Sequence, residues 1–194
     1  MRADLERFLS DEKGSITVEF VIWLPFLLFW FVLTVAAFAA WDSRLDATRA
    51  TYTIADLITV MPTIDENDVE SLFRLYNQLL PNPPEGEPNQ MRISSLERTD
   101  TGEFSVIWSR ATTGGELMPF ADDQILGPDD LKDSVLEAAL FEFNQSAGAI
   151  LVESYVVYEP IININGADLR WVNQQVAEHR LGLPFKFGAA PGDE

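Results

Sequence analysis

Residues 16–41 read ITVEFVIWLPFLLFWFVLTVAAFAAW, and these 26 residues decide how the rest of the chain is interpreted. As a helix they would extend about 39 Å at ~1.5 Å per residue, more than the ~30 Å of a bilayer's hydrocarbon core. No side chain from Phe20 to Trp41 is charged. The run is apolar on all sides rather than along one stripe, which suits lipid better than a core position. Trp23 and Trp41 lie toward its two ends, where interfacial aromatic rings collect. A transmembrane helix over 15–41 is expected, preceded by a hydrophilic segment over 1–14.

Orientation follows from what flanks the helix. Arg2, Arg7 and Lys13 precede it, and Arg44 and Arg49 follow it. That is a slender positive-inside preference for a cytoplasmic N-terminus. The residues after 41 are the only ones numerous enough to fold as a domain, so they belong on the opposite side. Ala37-Phe38-Ala39 also fits a small-x-small signal-peptidase site. Against that reading, the leader has more acidic than basic side chains, the apolar run is long for a signal, and Pro25 lies within it.

Glu19 is the one carboxylate among Ile16, Val18, Phe20, Val21 and Ile22. Drawn toward a bilayer centre, an ionised carboxylate costs on the order of 2–3 kcal/mol, and less near the interface. Charge placement alone leaves two readings open: a carboxylate that snorkels into the headgroups, or one with a dedicated partner.

The run Lys13-Gly14-Ser15-Ile16-Thr17-Val18-Glu19-Phe20 places a glycine, a small residue and then a glutamate ahead of the apolar helix. This resembles the class III signal peptide of type IV pilin-like proteins. The resemblance implies cleavage by a prepilin peptidase between Gly14 and Ser15, leaving the apolar helix on the mature chain with Glu19 as its fifth residue. Cleavage would create an ammonium group at Ser15, and a carboxylate four residues on can compensate it in its own chain or in a neighbour. Glu19-Phe20 is similar to the Glu-Tyr pair of Flp-type pilins. With Leu24-Pro25 and the leucine/phenylalanine run that follows, residues 8–50 resemble the N-terminal region of the TadE/TadF pseudopilins. Pro25 removes one intrahelical hydrogen bond and can kink the helix.

What that family implies is a minor pseudopilin of a tight-adherence (Flp) pilus in a bacterial inner membrane, with its domain in the periplasm. Its expected partners are other Tad pseudopilins, the Flp major pilin, inner-membrane platform proteins, the prepilin peptidase and the lipid bilayer. A type II secretion pseudopilin, a signal-anchored sensor or binding protein, and an acidic protein released after Ala39 are the alternatives.

Composition narrows the other classes. With 13 Lys and Arg against 31 Asp and Glu, the formal charge is −18. An acidic chain of this kind lacks the basic surface that phosphate neutralisation needs, so no nucleic acid partner is expected. Cysteine is absent, which excludes disulfides, thiolate metal sites and cysteine nucleophiles. No nucleophile motif, phosphate loop or histidine metal motif is present, and the single histidine, His179, sits beside Arg180. Neither an enzyme nor a cofactor or metal is expected.

For residues 42–187 the pattern predicts an α+β, pilin-like domain. The first helix continues to about residue 60, with Leu45, Tyr52, Ala55, Leu57 and Ile58 on or near one face. Pro62 ends it. Thr63 or Asp65 then caps a second helix through about Leu80, carrying Val69, Leu72, Phe73, Leu75, Tyr76 and Leu79 at helical spacing. The acids Asp65, Glu66 and Asp68 fit a helix start and lack the spacing of a calcium loop. Residues 91–98 and 104–112 alternate around Asp100-Thr101-Gly102 as a β-hairpin. Residues 112–130 read as irregular, 129–143 as a short helix, and 148–160 (GAILVESYVVYEP) as the central strand. Asn165-Gly166 reads as a turn, residues 171–180 fit either strand or helix, and 188–194 read as a disordered tail.

Overall fold

The computed structural model describes residues 15–61, 63–80, 83–84, 87–99, 103–126, 148–160, 168–178 and 186–188. Gly14, Pro62, the expected helix at 129–143, the Asn165-Gly166 turn and His179 lie outside these residues. By internal contacts the chain divides into two compact units, Met1–Trp41 and Asp42–Glu194.

Helix α1 spans Ser15–Thr59 and passes through Pro25 as one α-helical element. Apart from the half-buried Leu33, its large apolar side chains from Val18 to Trp41 are exposed, Trp30 at 72 % and Phe38 at 71 % among them. It is long and apolar enough to cross a membrane, and none of its most apolar 18-residue window is buried.

In the second unit, the α1 residues from 43 onward form the spine of a core. The buried face is Ser43, Ala47, Ala50, Thr51, Ile54, Ala55, Ile58 and Thr59. These positions recur at intervals of three and four and so line one side of the helix. This corrects the expected face: Ala55 and Ile58 belong to it, but Tyr52 is 55 % exposed and Leu45 only half-buried. Small side chains took the positions against the sheet because they let the helix backbone approach closely. The large tyrosine was left outside.

Helix α2, Glu66–Leu79, begins at a reciprocal cap. The Asp65 carboxylate accepts from the Asp68 amide at 2.7 Å, and the Asp68 carboxylate accepts from the Asp65 amide at 3.1 Å. Two otherwise orphaned donors are satisfied, which is the chemistry expected of these acids. Val69, Leu72 and Tyr76 are buried, while Leu79 is exposed and Leu80 takes its place inside.

Short β1 (Thr63–Ile64) pairs in parallel with β7 (Lys186–Phe187), and the Gly188 amide donates to the Ile64 carbonyl. The main sheet is antiparallel. Its strands are β2 (Gln90–Arg98), β3 (Phe104–Ala111), β4 (Ile125–Leu126), β5 (Ala149–Tyr158) and β6 (Leu169–Glu178), in spatial order β4-β3-β2-β5-β6. The hairpin β2–β3 forms as the alternation required, with a bulge between Ser95 and Leu96. The middle strand is β2, and β5 lies beside it. The ambiguous segment near 171–180 is strand, because Trp171, Asn173, Gln175 and Ala177 pair one by one with Val156, Ser154, Val152 and Ile150.

Both faces of this sheet are apolar. Met91, Ile93, Trp108, Ile150, Val152 and Val156 pack against α1 and α2. Leu96, Phe104, Val106, Ala149 and Leu151 face the other way, against Phe120 and Leu126 of the largely irregular segment 112–126. Complete burial of a side chain such as Ile54 or Ile150 stabilises by about 1.5–3 kcal/mol.

Candidate functional site

Two regions carry groups of functional interest, and each is described within its own unit. At the start of α1, Ser15 is the first helical residue and Glu19 follows one turn later. Glu19 is exposed and, among the described residues, makes no hydrogen bond or ion pair. Phe20 is 58 % exposed beside it. Positions 15 and 19 are four apart in this helix and so lie on one side of it. Pro25 has no amide to donate to Val21, yet the helix continues through it.

Farther along, Trp30, Leu33, Thr34, Ala37, Phe38 and Trp41 line an apolar hollow of about 600 Å³ on one side of the helix. The Thr34 hydroxyl donates to the Trp30 carbonyl at 2.8 Å, so it presents no unsatisfied donor to an apolar surrounding.

The second region lies where α1 crosses β5 and β6. The buried Thr51 and Ser154 hydroxyls are 2.7 Å apart. Thr48 donates to the Asn173 side-chain oxygen at 3.0 Å, and the Asn173 amide donates to Ser154 at 3.4 Å. The Tyr76 hydroxyl lies close to Thr51 and Ser154 but makes no hydrogen bond of good geometry. Burial pushes its pKa up to about 12, an effect the two neighbouring hydroxyls only partly offset.

On the opposite face of the sheet, Arg92 donates to Glu153 at 2.5 Å and to the Met118 carbonyl at 2.7 Å. Its guanidinium lies 3.7 Å from the centre of the Phe120 ring, and Gln174 donates to the second Glu153 oxygen at 3.1 Å. Arg92, Glu153 and Gln174 are register partners across three strands. They make a satisfied row that ties segment 112–126 to the sheet.

Neither cluster couples a nucleophile to a base. Among the described residues no three His, Asp or Glu side chains converge as metal ligands. Sequence reasoning singled out Gly14, Ser15, Glu19, Phe20 and Pro25. The structure gathers the last four onto α1, and Gly14 lies outside the described residues. The Thr51–Ser154–Asn173 and Arg92–Glu153 groups were missed. Their one local signal is Glu153-Ser154, two polar residues inside the apolar strand AILVESYVVY.

No family model, no curated protein and no solved structure matches the chain.

Proposed function

We propose that this chain is a membrane-anchored minor pseudopilin of a tight-adherence (Flp) pilus machine, of the TadE/TadF kind. The observation that carries this reading is Glu19: an exposed carboxylate, with no hydrogen bond or ion pair among the described residues, one turn into a helix whose apolar side chains are mostly exposed as far as Trp41. In water or lipid such a helix is incomplete, and in a bundle of like helices both its surface and its carboxylate find partners. Further support is the plan of the chain, a 45-residue helix whose later part is the spine of an α+β domain with an antiparallel sheet. We read that plan as consistent with a pilin-like subunit, although fold alone does not fix function.

In this reading the peptidase cuts after Gly14 and frees an ammonium group on Ser15. The carboxylate of Glu19, in the same chain or the next, neutralises it in a low-dielectric setting where an unpaired charge would be costly. The residues before the helix are cytoplasmic and the domain from Asp42 is periplasmic. Other Tad pseudopilins, the major pilin and the inner-membrane platform proteins are the partners.

The test is N-terminal sequencing of the protein from native membranes, followed by Glu19→Ala. A start at Ser15 and loss of piliation in the variant, with normal membrane insertion, are expected. An intact leader while the major pilin is processed, or full piliation by the variant, would leave a plain signal-anchored protein.

A further inference from the structure

The two edges of the main sheet are built differently. At one edge β4 is only two residues long. At the other, β6 runs for ten residues and pairs with β5 throughout without a bulge. Proteins ordinarily blunt an edge with short length, proline, lysine or a bulge, because its free N–H and C=O groups template another strand. β6 has none of these. Among the described residues, no main-chain group of β6 bonds to main chain outside the β5 ladder.

A cleft of about 170 Å³ lies along this edge, between Thr48, Thr51 and Tyr52 of α1 and the run 172–175 of β6. Successive strand residues point to opposite faces, so a cleft that touches four in a row touches the strand's edge rather than either face. No lining residue is charged. Asn173 and Gln174 are held by their bonds to Thr48 and Glu153, and the Gln175 amide donates to the Val176 carbonyl at 3.0 Å. The charged side chains of β6 are Arg170 and Glu178, both exposed, one near each end. Arg170 makes a 3.9 Å contact with the exposed Glu116, a pair that exchanges at little cost, and its guanidinium lies 5.7 Å from the centre of the Tyr155 ring.

We propose that the α1–β6 cleft accepts an extended strand from another protein chain, added antiparallel to β6. The incoming segment places a basic residue opposite Glu178, an acidic residue opposite Arg170, and uncharged residues between. A strand is specified because the main-chain groups of β6 repeat at backbone spacing along the cleft, where among the described residues only the Val176 carbonyl is taken up by a side chain, and the antiparallel sense continues the ladder already present. The terminal charges set the register, since cross-strand neighbours attract or repel across about 5 Å. The partner is a different and less acidic chain, because two copies carrying −18 each repel one another. This site stands whether or not the pseudopilin reading does.

The experiment uses the full chain in detergent micelles and two labelled peptides. One is Lys-Thr-Val-Thr-Gln-Thr-Val-Ser-Glu, and the other has its terminal Lys and Glu exchanged. The first peptide is expected to bind about tenfold more tightly, and to slow amide hydrogen exchange across 170–178. The double variant Arg170→Glu with Glu178→Arg, altered only at exposed positions, is expected to invert the preference. Equal binding of the two peptides, unchanged exchange at 170–178, or concentration-dependent protection there without peptide would each overturn the proposal. The last of these would assign the edge to a second copy.

Discussion

Arg92 and Glu153 face each other across the β2–β5 ladder with their charged groups 2.5 Å apart, and the two side chains are 14 % and 7 % exposed. A pair this buried is stable only while both members and their hydrogen bonds are present. Arg92→Ala should destabilise the domain by about 3–5 kcal/mol, because Glu153 is then left buried and uncompensated. Replacing both, as Arg92→Met with Glu153→Leu, should cost much less than the single change. Denaturant unfolding of the full chain in detergent checks both, and equal losses would contradict the account.

Thr51 and Ser154 join α1 to β5 through one buried contact. Thr51→Val or Ser154→Ala should each lower stability by about 1 kcal/mol, since each removes this hydrogen bond while the remaining hydroxyl keeps another partner, the Ala47 carbonyl for Thr51 and the Asn173 amide for Ser154. The double variant should lose clearly less than the sum, which a double-mutant cycle measures directly.

Ala50 is 2 % exposed on the face of α1 that meets the core. Ala50→Leu should destabilise by roughly 1–3 kcal/mol by forcing helix and sheet apart. Tyr52→Leu, two residues on and on the exposed side of the helix, should change stability by less than about 0.5 kcal/mol. A comparison of thermal midpoints separates the two.

Tyr76 ionises with a pKa of about 12 when folded, against its ordinary value of 10. A raised folded-state value means that the native state holds the proton longer than the unfolded chain does. Stability from this group is therefore complete below pH 10 and declines as pH rises toward 12. The loss is about 2–3 kcal/mol at ~1.4 kcal/mol per pH unit. Tyr76→Phe should flatten that part of the pH–stability curve. An unchanged slope would mean that other groups dominate alkaline unfolding.

The extent of α1, the cap at Asp65, the hairpin β2–β3 and the strand at 149–158 were all legible in the chain, because each is written in local periodicity or a local side-chain bond. The inward face of α1 was not. A search for large apolar residues favours Tyr52, whereas close helix–sheet contact selects Ala47, Ala50 and Thr51, whose value depends on a sheet that forms later in the chain. β6 was undecidable for a related reason. Its alternation is weak on an edge, and only the partners on β5 identify it. At the N-terminal site, Glu19 and Pro25 could be found from sequence because a charge and an imino acid are conspicuous in an apolar run. The Arg92–Glu153–Gln174 row could not, since its members come together only through the register of three strands.

The border between the two units, Trp41 and Asp42, falls in the interior of α1 rather than in a connecting loop. Proteases that release ectodomains need several residues of extended backbone to enter their clefts, and a helix must unwind before it can supply them. From Asp42 onward, unwinding soon reaches Ser43 and Ala47, which are part of the buried core. Cleavage on the C-terminal side of Asp42 therefore requires the domain itself to begin to unfold.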